Sequence, residues 1–97
     1  MKLYIDTSNS EKLAVGLDGD IVEDASTDQR SEKLLAVIDQ MLKKHNKKIE
    51  DISEIEINLG PGSFTGLRVG VAIANTLGWL LDIPINGKKG LVEPIYT

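Results

Sequence analysis

The sequence predicts an α/β domain on a mixed five-stranded sheet, with its elements in the order βββαβαβ. Three observations carry that prediction. Short apolar stretches separated by turn formers fill the first quarter of the chain. The apolar period then lengthens to that of a helix. Finally, a strand-like run feeds a glycine-rich turn and a second, strongly apolar helical segment.

Leu3-Tyr4-Ile5 reads as the first strand, ending in the turn formers Asp6-Thr7-Ser8-Asn9-Ser10. Lys12 to Leu17 is the second strand. Asp18-Gly19-Asp20 then suits a hairpin, because Asp-Gly accepts the positive φ of tight turns. Ile21-Val22-Glu23-Asp24 starts a third strand, so three antiparallel strands open the domain. Ser26 with Gln29 has the spacing of a capping box, with Thr27 as an alternative cap. Leu34, Leu35, Ile38, Met41 and Leu42 recur at helical spacing and predict a first helix over 28–46. Ile52 to Leu59 reads as the fourth strand, and the helix before it predicts parallel pairing of the third and fourth strands. A second helix follows over 65–81 and stops at Asp82-Ile83-Pro84. Pro84-Ile85-Asn86 is a short fifth strand.

Gly66, Gly70, Ala74 and Gly78 lie four apart and form a small-residue row on the second helix. Glycine inside a helix costs roughly 1 kcal/mol against alanine, so the row predicts close backbone approach on that face. Val69, Val71, Ile73 and Leu77 make the other positions apolar as well. A helix apolar nearly all round is covered on more than one side. The sheet covers one, and something else is expected on the other.

Composition narrows the function. The chain has 97 residues, 41% hydrophobic and 27% charged, and a net charge of −4, as expected of a single small soluble domain. Direct binding of nucleic acid is not expected, since phosphate neutralisation calls for a basic surface. The basic cluster Lys43-Lys44-His45-Asn46-Lys47-Lys48 falls where the first helix ends and complements its dipole. No cysteine is present, which excludes disulfides and thiolate chemistry and fits a cytosolic protein. His45 alone builds neither a zinc site of the usual kind nor a serine-based triad. The apolar stretch Val69 to Leu81 reads as a buried helix too short to span a bilayer. No metal site, catalytic residue or cofactor is predicted.

The remaining chemistry lies in Gly60-Pro61-Gly62-Ser63-Phe64-Thr65-Gly66-Leu67-Arg68. Backbone N–H groups at a glycine turn before a helix are suited to phosphate. The spacing fits neither the Walker loop nor the dinucleotide fingerprint. A turn capped by Ser63 or Thr65 and a degenerate anion site with Gly60, Gly62, Ser63, Thr65 and Gly66 are both open readings. Asp6-Thr7-Ser8 is a second candidate: an aspartate before hydroxyls can hold a metal-bound phosphate, though such a cluster is more often an ordinary turn.

Asp6-Thr7-Ser8, Arg30-Ser31-Glu32-Lys33-Leu34-Leu35, the segment from Gly60 to Gly70 and Ile83-Pro84-Ile85 together closely resemble the TsaB (YeaZ) family over most of residues 1–87. The resemblance implies the actin/sugar kinase/Hsp70-ATPase-like (ribonuclease H-like) subdomain fold. It implies a noncatalytic subunit that docks on the catalytic TsaD through two helices, in the assembly that makes N6-threonylcarbamoyladenosine in tRNA. A TsaE-like ATPase and self-association are further implied partners, with tRNA met only through the complex and no membrane involved. The interface would comprise Arg30, Leu34, Ile38 and Met41 on the first helix, and Arg68, Gly70, Val71, Ala74, Leu77 and Gly78 on the second. The glycine turn, with Asp6, Thr7 and Ser8, would be the remnant of a phosphate loop. A nucleotide-binding domain and a self-associating module are the alternatives. The histidine metal motif of TsaD is missing, so the glycoprotease activity once ascribed to the family has no support. Two departures stand out: Arg30 replaces the usual histidine, and the family's second subdomain is not matched. Glu93-Pro94-Ile95-Tyr96 resembles the family's C-terminal segment. It points to a compact form, with one subdomain over 1–97, a core over 1–87 and a short extension over 88–97.

Overall fold

The computed structural model describes residues 1–25 and 30–95. Its elements are β1 (Lys2–Asp6), β2 (Leu13–Leu17), β3 (Asp20–Asp24), α1 (Arg30–Lys44), a single 3-10 turn (Ile49–Asp51), β4 (Glu54–Ile57) and α2 (Phe64–Leu81). The capping box expected at Ser26 and Gln29, and the alternative cap Thr27, lie outside the described residues.

The sheet has four strands in the order β3-β2-β1-β4. β1 and β2 are antiparallel, as are β2 and β3, joined through Asp18 and Gly19 in left-handed backbone. β4 pairs in parallel with β1, in the register Leu3 to Ile55 and Ile5 to Ile57. This corrects the expected pairing of the third and fourth strands: α1 carries the chain past β2 to the far edge of β1.

The expected fifth strand reduces to Ile85, bridged in parallel to Ile55 and antiparallel to Lys88. Pro84 has no N–H to give, and Asn86 turns to φ 52, so only Ile85 keeps extended pairing. Asn86 then extends the ladder with its side chain. Its Oδ1 accepts from the Ile57 N–H at 2.8 Å, and its Nδ2 donates to the Ile57 carbonyl at 3.1 Å.

Both helices pack on one face of the sheet. Alternation sends Leu3, Ile5, Leu13, Val15, Leu17, Ile55 and Ile57 to that side. They meet Leu34, Val37, Ile38, Met41 and Leu42 of α1, and Val71, Ala74 and Leu77 of α2. The opposite face carries Lys2, Tyr4 and Glu56, with Lys2 and Glu56 paired at 2.8 Å. The Met1 ammonium donates to the Asp51 carbonyl and Ser53 Oγ, both at 3.0 Å. After α2 the chain runs back along that helix. Asn75 clamps it by a reciprocal pair with Val92, at 3.0 and 2.9 Å. It reaches the segment after β4, where the Ile95 N–H donates to the Leu59 carbonyl at 2.7 Å.

Helix α2 is longer than the apolar stretch read from the sequence. Over its 18 residues the mean hydropathy is 1.3, so by length and composition it could cross a bilayer. Its small-residue face instead lies on the sheet, the packing of a core helix.

Candidate functional site

Two regions hold the residues singled out by the sequence: the junction of β1 with the glycine turn, and the helical layer.

At the junction, Asp6 ends β1 and gathers donors from three segments. Its Oδ1 accepts from the Ser8 N–H at 2.9 Å and Ser8 Oγ at 2.6 Å. Its Oδ2 accepts from Tyr4 at 3.2 Å and Asn58 Nδ2 at 3.3 Å. Burial pushes the Asp6 carboxyl up, but the bonds from Ser8, Asn58 and Tyr4 outweigh it and hold the group below the usual aspartate value. Burial, and then the charge of Asp6, raise the Tyr4 phenol. Asn58 also accepts from the Gly60 N–H at 2.9 Å, so it fastens the start of the turn to the end of β1.

The turn itself is bound to its own chain. The Ser63 N–H donates to the Ser8 carbonyl at 2.7 Å. Ser63, not Thr65, caps α2, its Oγ accepting from the Gly66 N–H at 3.2 Å. Thr7 is fully buried and donates to the Gly66 carbonyl at 2.6 Å. A Cβ on Gly66 would collide with the Thr7 carbonyl, and one on Gly70 with Thr7 Oγ1. Thus Asp6, Thr7, Ser8, Gly60, Gly62, Ser63 and Gly66 do come together, while Thr65 is exposed on the outer side of the turn. Two of the N–H groups an anion would need, those of Ser63 and Gly66, are occupied by protein oxygens. Among the described residues, no group of three His, Asp or Glu side chains converges as a metal site would require.

The helical layer departs from the expected interface. Leu34, Ile38, Met41, Gly70, Val71, Ala74, Leu77 and Gly78 are buried inside the domain. The small-residue row admits Thr7, Ile57 and Ile85 of the domain's own sheet layer, not a partner. Arg30 is only 9% exposed, with Nη2 donating to the Asn9 carbonyl at 2.6 Å and more weakly to that of Lys12 at 3.4 Å. Its Nη1 is buried without a hydrogen bond, beside Gly66. Of the ten residues named, Arg68 alone lies on the outside, with its guanidinium 5.3 Å from the Phe64 ring centre.

The outward face consists of other residues. Phe64 is 55% exposed and Leu35 52%. Phe64, Thr65, Arg68, Val69, Ala72 and Ile73 of α2, with Ser31 of α1, line an open hollow of about 440 Å³. The sequence signal was available in Val69 and Ile73. Phe64, Leu35 and Ala72 were missed because their side of each helix follows from which face the sheet takes. Asn58 and Asn86 were missed as well. A lone asparagine at a strand end carries no pattern until its partners are known.

Residues 7–89 match the family described as TsaD, tRNA N6-adenosine threonylcarbamoyltransferase. The chain is 33% identical to the tRNA threonylcarbamoyladenosine biosynthesis protein TsaB of Bacillus subtilis, over 97% of this chain and 48% of that protein. It is 30% identical to TsaB of Escherichia coli, over 93% of this chain and 40% of that one. The chain belongs to the TsaD family, and the TsaB (YeaZ) proteins are among its similar relatives. Its fold agrees: YeaZ from Pseudomonas aeruginosa superposes with a TM-score of 0.74 at 23% identity, over 87% of this chain and 41% of that structure. The chain spans about half the length, or less, of the curated TsaB relatives it matches. Its family is one of tRNA threonylcarbamoyladenosine modification.

Proposed function

We propose that this chain is a noncatalytic partner subunit in the formation of N6-threonylcarbamoyladenosine in tRNA, docking on a TsaD-like catalytic subunit through the outward faces of α1 and α2. One observation carries the reading. The helical layer keeps Phe64, Leu35, Ala72 and Ile73 at its surface after the sheet has taken the small-residue face. An exposed apolar patch of this kind marks a protein interface. The junction of β1 with the glycine turn supports the noncatalytic assignment, because its hydroxyls, carboxylate and amides are bound to one another. On this reading the glycine turn positions α2, the subunit works in the cytoplasm, a TsaE-like ATPase joins the assembly, and tRNA is met through the complex. The chain acts as one TsaB-like subdomain.

The test is co-purification with the TsaD-family protein of the same organism, followed by size-exclusion chromatography with light scattering. A stable heterodimer is expected, disrupted by Ala72→Arg and by Leu35→Arg. A chain that remains a monomer or homodimer in the presence of that protein overturns the reading.

A further inference from the structure

The basic run at the end of α1 is only partly accounted for by the helix it follows. Lys44 and His45 share Asp20, at 3.0 and 2.8 Å, and Lys43 pairs with Asp39 at 2.9 Å. Lys47 and Lys48 come after Asn46, whose φ of 55 ends the helical course. They lie beyond the turn where helix-dipole interactions act. Among the described residues neither lysine has an ion pair.

Both lysines line one groove with Lys43. Its volume is about 390 Å³, and its apolar walls are Leu35, Ile38, Leu42, Ile49 and Leu77. Leu35 also belongs to the docking face proposed above. The lining includes one carboxylate, Asp39, which Lys43 already holds. An apolar floor under three ammonium groups thus sits on a chain of net charge −4.

We propose that the docking partner lays an amphipathic acidic segment in this groove, its apolar side chains on the exposed Leu35 and Ile49 and its carboxylates toward Lys47 and Lys48. The inference rests on the docking reading and specifies the chemistry of the partner's contact. Charge complementarity decides the occupant. In a two-fold pairing with these helices antiparallel, a second copy would bring the first turn of α1, whose acidic residue is Glu32. One carboxylate is a poor match for the two ammonium groups of Lys47 and Lys48, unpaired among the described residues. Complementary charges of this kind mainly accelerate association and weaken with salt.

The test compares the full chain with Lys47→Glu/Lys48→Glu, binding each to the organism's TsaD-family protein by surface plasmon resonance at about 50 and about 300 mM salt. Wild-type binding is expected to weaken with salt, and the double variant to lose about tenfold in affinity, chiefly through slower association. Lys47→Gln/Lys48→Gln should give a smaller loss and serves if the charge-reversed chain does not fold. Equal affinity and salt response in wild type and variants would overturn the acidic contact and leave the docking reading standing. Wild-type chain that fails to bind would overturn both. Self-association lost on charge reversal, with the heterodimer intact, would seat a second copy in the groove and overturn the proposal.

Discussion

The Thr7 hydroxyl donates to the Gly66 carbonyl at 2.6 Å, fixing the end of β1 to the first turn of α2. The two backbones can approach this closely because position 66 has no side chain, and position 70 repeats the arrangement one turn later. Gly66→Ala and Gly70→Ala should each destabilise the domain by about 1–3 kcal/mol, the usual cost of overpacking, although alanine has the better helix propensity. Chemical denaturation would read the loss. Unchanged midpoints would mean that α2 lifts away from Thr7 at little cost.

Asp6 gives stability a defined dependence on acid. Its folded pKa lies below the ordinary 3.8 despite burial, because Ser8, Asn58 and Tyr4 donate to the carboxylate. The folded state therefore binds this proton less readily than the unfolded chain does. The contribution is present above the ordinary value and is lost as pH falls through the folded one. Asp6→Asn should be less stable than wild type at neutral pH, the gap narrowing as pH falls below the ordinary aspartate value of 3.8. Asp20 is also lowered, first by the Lys44 hydrogen bond and then by that of His45. Comparison with wild type across the same pH series isolates Asp6.

Arg30 is a buried cation held by backbone carbonyls. Lysine cannot reproduce the planar fork beside Asn9 and Lys12, so Arg30→Lys should cost about 1.5–3 kcal/mol. Arg30→Met removes the buried charge and keeps the stem, and should cost less than Arg30→Lys. Thermal unfolding of the two variants orders them. The opposite order would place the importance of Arg30 in its charge.

The two sides of α2 should respond oppositely to the same substitution. Ala74 is fully buried, whereas Ala72 is exposed. Ala74→Arg should abolish the cooperative fold seen by circular dichroism, since a guanidinium there has neither space nor partner. Ala72→Arg should change stability by no more than about 0.5 kcal/mol. A destabilised Ala72→Arg would show that this face is packed within the chain.

Local signals were the legible ones. The Asp-Gly hairpin, both helices and the first three strands follow from turn chemistry and period, which neighbouring residues fix. The partner of β4 was not legible, because it depends on where α1 returns the chain. The small-residue row correctly announced close approach but not the neighbour, which is Thr7 and not a second protein. Arg30 ran against expectation because arginine is rarely buried; only the fold brings the Asn9 carbonyl to it. The junction was half legible. Asp6, Ser8 and the glycine turn were visible as motifs, but Asn58, which joins them, was not.

The anchoring of Met1 and of Ile95 bears on how the molecule should be labelled. The Met1 ammonium sits against Asp51 and Ser53, next to the turn whose Ile49 lines the lysine groove. Ile95 is held beside Leu59, at the opposite end of β4 from Ser53. A purification tag or fluorophore fused before Met1 would replace that ammonium and crowd the basic groove. A group fused at the C-terminal side leaves the Met1 ammonium in place, and Ile95 is held at Leu59, away from the lysines, so binding experiments belong with the C-terminal fusion.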